Sequence, residues 1–417
     1  MHIGLISILS LVAVVSAWLP SDTDLFGPEP QTNATFSNLS AGKGRVVKKW
    51  LPSSGKIRGV NLGSLFVVEP WMASTEWATM GCGSSKSEFD CVMKLGQDAA
   101  NAAFKAHWAR WITETDFDDM ASYGLNTVRI PLGYWIDESL VYDSEHFPQG
   151  GLAYLDKVVG WAAARNIYVI LDLHAAPGAQ VAQQPFTGQY APTTGFYQDY
   201  QYDRAYKFLQ FITNRIHSNT AYRTVGMLEV LNEPVNGQSS LVNTYYPTAF
   251  SKIRETESGL GITDNAKKLH VQFMNKLWGS GDPKSGLKDL SNTAFDNHRY
   301  LKWDTSVKVS QAGYIAASCA DQVASDGDKP LIVGEWSISP ADAVEQSSAF
   351  EVKSGSNSGF YTKWWAAQVI AYEKQQGWVF WSWKAQLNGD YRWSYKDAVE
   401  KGIIPKDPGQ AYNQGVC

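Results

Sequence analysis

Tyr168-Val169-Ile170-Leu171-Asp172-Leu173-His174 is a short apolar run, rich in strand-favouring residues, that ends in an ionisable side chain. A helical pattern precedes it over 151–165 and another follows over 203–218. The same alternation recurs along the chain. Strands are predicted over 57–63, 126–133, 168–174, 226–233, 269–275, 294–300, 331–336 and 378–383, with further helices over 108–123 and 360–374. Alternating strands and helices build βαβ units and a parallel sheet, and eight such units close a (β/α)₈ barrel. The expectation is therefore an α/β protein, a single TIM barrel over 55–417. At 417 residues the chain suits a barrel with insertions, and no compositional break divides it. Long Gly-, Pro- and aromatic-containing segments at 73–101, 175–202 and 236–260 are expected as loops over the C-terminal face.

The N-terminus reads as a targeting segment. Residues 3–15 are nearly all apolar, and Val15-Ser16-Ala17 supplies the small residues of a cleavage site. The run is too short to span a bilayer, so residues 1–17 are expected to be a signal peptide. Residues 18–54 form a polar N-terminal extension with glycosylation sequons at Asn33 and Asn38. Cys82, Cys91, Cys319 and Cys417 make an even count in an exported chain and allow three pairings. A Cys82–Cys91 bridge would close a short local loop and leave Cys319 to tie down Cys417. A secreted protein, extracellular or in the cell wall, is expected.

Composition narrows the partners. Net charge is −5 with no Lys/Arg run, which argues against nucleic acid, and no further segment is apolar enough to enter a membrane. Only 18% of residues are charged, below the usual ~25%. The 17 Trp and 20 Tyr exceed what a core readily uses, because each carries a polar group needing a partner, so some should line a groove for a neutral polymer. A monomer is expected. There is no His-Glu-x-x-His, phosphate-cradling Gly-rich loop or Cys/His cluster, so neither cofactor nor metal is expected.

The strand ends carry the chemistry. Arg129, His174, Asn232 with Glu233, His298 with Tyr300, Glu335, and Trp383 with Lys384 all fall at C-terminal ends, which barrel geometry gathers at one mouth. Two of them are glutamates after apolar runs, in Val230-Leu231-Asn232-Glu233-Pro234 and Ile332-Val333-Gly334-Glu335-Trp336. Cleaving a glycosidic bond takes one carboxylic acid to protonate the leaving oxygen and one carboxylate to attack or to activate water. A pair on opposed strands can flank a sugar in this way.

With Asn232-Glu233-Pro234, Asn297-His298-Arg299-Tyr300 and Phe380-Trp381-Ser382-Trp383-Lys384, the set resembles glycoside hydrolase family 5 over about 55–405. The resemblance implies a retaining mechanism with Glu233 as acid/base and Glu335 as nucleophile. It implies substrate-binding positions at Arg129, His174, Asn232, His298, Tyr300 and Trp383. Arg129 would keep Glu335 ionised and Tyr300 would hold it. Asn232 would donate to the sugar 2-hydroxyl, the two histidines would position hydroxyls and the acid, and Trp383 would floor the sugar, with Trp381 as the alternative. Within the family, Arg58-Gly59-Val60-Asn61-Leu62-Gly63-Ser64, His174-Ala175-Ala176-Pro177-Gly178-Ala179-Gln180, Gln184-Pro185-Phe186-Thr187-Gly188-Gln189-Tyr190 and Gly389-Asp390-Tyr391-Arg392-Trp393-Ser394-Tyr395 are similar to fungal endo-β-1,6-glucanases. Fungal exo-β-1,3-glucanases share several of these pieces. The expected activity is cleavage of internal β-1,6 bonds in β-glucan. The alternatives are exo-attack on β-1,3-glucan and a glucan-binding wall protein that has lost catalysis. Trp71, Phe186, Tyr190, Phe196 and Tyr197 lie on the long loops as candidate sugar platforms or loop packing.

Overall fold

All eight apolar runs are strands: β1 (Ile57–Asn61), β2 (Thr127–Gly133), β3 (Tyr168–Ala175), β4 (Val225–Glu229), β5 (His270–Met274), β6 (Thr293–Arg299), β7 (Leu331–Trp336) and β8 (Gly377–Phe380). A computed structural model describes residues 49, 55–321 and 329–417. The expected signal peptide and the sequons at Asn33 and Asn38 lie outside the described residues. The strands pair in parallel in sequence order, and β8 returns to β1 to close the barrel. At that seam Ile57 sits opposite Gly377. A Cβ on Gly377 would lie 2.0 Å from the Ile57 carbonyl oxygen, and its φ is +137°, so only glycine permits the closure.

Strand alternation sorts the barrel interior into levels. Ile57, Tyr168, Ile170, Met227, Ala294, Ile332 and Val379 form a separate apolar cluster. Two residues further along the same strands, the inward positions turn polar: Asp172 after Ile170, Glu229 after Met227 and Asp296 after Ala294. The lower level is sealed by apolar burial, and the upper level is a charged chamber that opens at the C-terminal face. The other faces of the strands pack on the helices in one continuous core.

The helices match the expected pattern with one correction. The 108–123 pattern is the end of one helix and the whole of another, Gln97–Arg110 and Glu114–Ser122. The second starts afresh because Thr113 donates from both its backbone N–H and its hydroxyl to Asp116 (2.9 Å each), satisfying a donor at the new N-terminus. Gly151–Ala164, Asp199–Ser218 and Ser358–Tyr372 match the other three. Among the described residues, no helix is long and apolar enough to cross a membrane. At the barrel floor, buried Lys49 donates from its backbone to Ala266 O and from its ammonium to Tyr222 O (3.0 Å), so this point of the N-terminal extension packs on the floor.

The cysteines pair as Cys82–Cys91 and Cys319–Cys417. The second bridge spans 98 residues and pins the chain end to the helix Gln311–Ala320. A loop of that length contributes about 2–5 kcal/mol by restricting the unfolded chain. Cys417→Ser should lower the unfolding free energy by that amount in a denaturant titration, while reduction of Cys82–Cys91, which closes a far shorter loop, should cost less.

Candidate active site

Arg129 stands at the centre of the polar chamber and is fully buried. Its Nε donates to Glu229 Oε2 (2.9 Å), Nη1 to Asn61 Oδ1 (3.1 Å) and Glu335 Oε1 (3.0 Å), and Nη2 to Asn232 Oδ1 (2.8 Å). Asp172 Oδ2 lies 3.0 Å from Nη2. Burial alone would lower the guanidinium pKa, but Asp172, Glu229, Glu335 and Asp296 outweigh it and hold the group well above its ordinary value. The carboxyls divide the burden. Burial drives Glu229 well above the usual carboxylate range, against the pull of Arg129. Asp296 is also buried, yet His298, Arg129 and the Gly334 N–H together bring it below the ordinary value.

Glu335, at the end of β7, accepts from Arg129 at one oxygen and from the Tyr300 hydroxyl at the other (2.7 Å). Burial, with the neighbouring Glu233, raises its carboxyl above the ordinary value, although His298 and Arg129 pull the other way. Because arginine can only donate, this hydrogen-bond set fits an ionised carboxylate. Tyr300 is itself held well above its ordinary pKa by burial and by Glu335, so it remains a donor.

Glu233 is placed by an irregular turn. β4 stops at Glu229, and the chain continues to Glu233 at φ +38°, a left-handed conformation that non-glycine residues rarely adopt. Asn232 N–H donates to Leu173 O, and Trp278 Nε1 donates to Pro234 O (2.8 Å), bracing the turn on both sides. The turned-out carboxyl meets His298: Nδ1 lies 2.6 Å from Glu233 Oε1 and 3.5 Å from Glu335 Oε2. One ligating atom from each of Glu233, His298 and Glu335 falls within a 4.8 Å sphere of mutual distances. The two carboxyls thus face one another across His298. Burial works against the charge on His298, but Glu335, Asp296 and Glu233 outweigh it and raise its pKa well above the ordinary value.

These groups open into a cavity of about 610 Å³ lined by Glu335, Glu233, Asn232, His174 and Tyr300 together with aromatic walls. His174 Nδ1 is held by Asp172 (2.7 Å), which fixes its ring. That ring stacks on Trp381 with centroids 5.6 Å apart and 8° between planes. Here Trp383 needs correction. It has no exposed surface, donates from Nε1 to Asp116 (3.0 Å) and carries Lys396 over its ring, between the barrel and the helix Glu114–Ser122. β8 ends at Phe380, so in-out alternation no longer governs position 383, and Trp381 is the tryptophan that faces the cavity. Lys384, beside it, reaches Trp111 O and is likewise outside the cavity lining.

Of the loop aromatics, Trp71 and Phe186 line the cavity. Phe196 is fully buried, Tyr197 bridges Val235 N–H and Gln180 O, and Tyr190 sits under Lys86, so these three serve loop packing. The lining also includes Trp278, Trp303, Trp393 and a third carboxyl, Glu69. Burial pushes the Glu69 carboxyl up to about 7, and Trp71 Nε1 donates to it (2.8 Å). None of the four lies at the end of a predicted strand, which is where the sequence offered a rule.

Residues 92–387 match the profile of Cellulase (glycosyl hydrolase family 5). The chain belongs to glycoside hydrolase family 5. It is 56% identical over 418 residues, 99% of each chain, to the glucan endo-1,6-beta-glucosidase B of Emericella nidulans. It is 30% identical over 387 residues, 84% of this chain and 88% of the other, to a probable glucan 1,3-beta-glucosidase A of Aspergillus niger. Among solved structures, the rutinosidase of Aspergillus niger superposes with a TM-score of 0.67 at 21% identity, covering 84% of this chain and 97% of that one. That likeness concerns the fold. As a family 5 member the protein is a retaining glycoside hydrolase.

Two measurements check the site. Trp381→Ala should cut kcat/KM at least tenfold on any glucoside it accepts. Trp383→Phe removes a hydrogen bond to a carboxylate and should cost about 1.5–3 kcal/mol of stability with kinetics near wild type. The second concerns Glu69, whose folded carboxyl titrates at about 7 against an ordinary 4.5. The folded state holds the extra proton between those values, so stability from this group is full below 4.5 and is lost as pH rises to 7. The melting temperature of wild type should therefore fall relative to Glu69→Gln across that window. Parallel curves would show that Glu69 does not titrate there.

Proposed function

We propose that the protein hydrolyses internal β-1,6 bonds of β-glucan by double displacement, with Glu335 as nucleophile and Glu233 as acid/base. The observation that carries this is the meeting of the two carboxyls within 4.8 Å across His298, at the wall of an aromatic-lined cavity. Glu335, held by Arg129 and Tyr300, attacks the anomeric carbon. The acid is the Glu233–His298 pair. Written as a carboxylate with an imidazolium, or as a carboxylic acid with a neutral imidazole, the pair contains the same proton. As the leaving oxygen departs, that proton passes to it through Glu233. With that proton gone and the charge of Glu335 neutralised by esterification, Glu233 is left as a carboxylate beside a neutral imidazole, and it serves as base by taking a proton from the incoming water. Asn232, its carbonyl engaged by Arg129, has its amide N–H₂ free to donate to the 2-hydroxyl. Trp381 offers an apolar face to the ring C–H groups.

The linkage follows from likeness. The relatives at 50–56% identity carry the endo-1,6 name, and those at about 30% carry a 1,3-glucosidase name. The presence of both carboxyls argues against a glucan-binding protein without catalysis. In this reading residues 1–17 direct secretion, 18–54 form an extension, and 55–417 are the catalytic domain, working outside the cell as a monomer. Two disulfides suit an oxidising compartment.

Linear β-1,6-glucan should yield mixed oligomers early in the reaction, whereas β-1,3-glucan should be cut far more slowly. Glucose as sole product, or preference for the β-1,3 polymer, would replace this reading with exo-attack. Glu233→Gln should lose about 10²–10⁴ in turnover on glucan, the contribution usual for a general acid–base. Added azide, which needs no base, should restore turnover on an aryl glucoside and give the β-azide. The α-azide would reverse the roles of the two glutamates.

A further inference from the structure

Glu88 is a second kind of buried acid, outside the polar chamber and without exposed surface. One of its oxygens accepts from the Val68 N–H (2.8 Å), and the other is buried and makes no hydrogen bond. Burial drives the carboxyl well above its ordinary value, so it stays protonated. An acid satisfied on one side only is a poor source of stability. Its partner points to another role. Val68 precedes Glu69, and Glu69 and Trp71 line the same cavity as Glu335.

The segment 63–71 is neither helix nor strand, and side chains from elsewhere hold it point by point. Trp111 Nε1 donates to Gly63 O (2.9 Å), and His107 Nε2 donates to Ser64 O (2.8 Å). Within the segment, the Glu69 N–H donates to Ser64 Oγ (3.0 Å). Glu88 adds the hold immediately before the cavity residues.

The loop that carries Glu88 is itself fastened. Cys82–Cys91 closes it, and Trp77 Nε1 donates to Ser85 O (2.9 Å). Glu88 opens the helix Glu88–Leu95, so the next N–H, that of Phe89, has no partner within the helix. It donates instead to Gly188 O (3.0 Å), and Lys86 lies over the Tyr190 ring (4.6 Å). Gly188 and Tyr190 belong to the segment whose Phe186 lines the cavity and meets the His174 ring edge-on (5.8 Å). The loop 82–91 thus joins two cavity walls that are far apart in the sequence.

We infer that Glu88 is a positioning residue for the reaction: from the disulfide-closed loop 82–91 it clamps the wall bearing Glu69 and Trp71 in place relative to the wall bearing Phe186, and so sets the fit of the sugar. Glu335 and Glu233 are held by Arg129, Tyr300 and His298, through bonds that do not involve this loop. Releasing the clamp therefore weakens binding of ground state and transition state alike and leaves the chemical step in place. This rests on the reading of the cavity as the glucan site given above.

The test uses the intact enzyme and a 4-nitrophenyl β-glucoside. Glu88→Ala should raise KM about 5–20-fold and leave kcat within about twofold, the pattern of lost uniform binding. The Ki of glucose as competitive inhibitor should rise by the same factor. Glu88→Gln keeps an uncharged acceptor for the Val68 N–H and should restore both. Cys82→Ser together with Cys91→Ser should raise KM in the same way, and adding Glu88→Ala to that pair should raise it little further, because both changes release one clamp. The serine pair leaves Glu88 in place and gives the reading should Glu88→Ala not fold. An unchanged KM in Glu88→Ala or in the serine pair, a fall in kcat alone, or a failure of Glu88→Gln to restore KM overturns the inference. The linkage reading fails separately, on glucan products, and the catalytic roles fail separately, on the azide adduct.

Discussion

One guanidinium holds the mouth of this barrel together. Arg129 reaches four strands, binding Glu229 from β4, Asp172 from β3, Glu335 from β7 and Asn61 from β1. A charge buried this deeply is tolerable only because carboxyl groups surround it, and Arg129 in turn favours the charge on Glu229, Asp296 and Glu335, the last two with the help of His298. The arrangement is mutual, so the strand ends are locked in register by charge where apolar packing has given way to a polar chamber. Glu335 is both a member of this network and the wall of the cavity. Its orientation is therefore fixed by the fold, before any sugar arrives.

His298 does for the two glutamates what Arg129 does for the strands. Like charges this close raise one another's pKa. With a cationic imidazole between them, at 2.6 Å from one and 3.5 Å from the other, the repulsion is largely compensated. Asp296, beneath the imidazole, keeps the second ring nitrogen in an acidic environment (3.5 Å) and so favours the charged form.

The barrel was legible in the sequence because it depends on a local, repeated signal: eight apolar runs at strand length, most of them followed by a helix, with only short 3₁₀ turns between β5 and β6. The site was legible where it obeyed the same rule. His174, His298 and Glu335 lie near the ends of β3, β6 and β7, Asn232, Glu233 and Tyr300 follow β4 and β6, and Arg129 sits nearer the start of β2 than its end, yet the structure brings all seven around one chamber. The rule failed where a strand stopped early. At β8 it led to Trp383, three residues beyond the end of the strand. It was also silent on Glu69, Trp278, Trp303 and Trp393, which come from loops whose path is set by distant contacts. Glu229 and Asp296 carried a readable signal, an acid in the middle of an apolar strand. An acid at such a position is costly to bury unless it has a partner across the barrel.

The seam at Gly377 has a consequence for biogenesis. β1 pairs with β2 early in synthesis, but its other edge meets Gly377–Phe380, made near the end of the chain. Until then a nascent polypeptide would display an open strand edge at each side of an incomplete sheet, the feature that invites pairing with neighbours. Barrel closure, and with it the juxtaposition of Arg129 and Glu335, must await translation of almost the whole sequence. Premature termination anywhere before β8 would leave both an unsealed sheet and an unformed chamber.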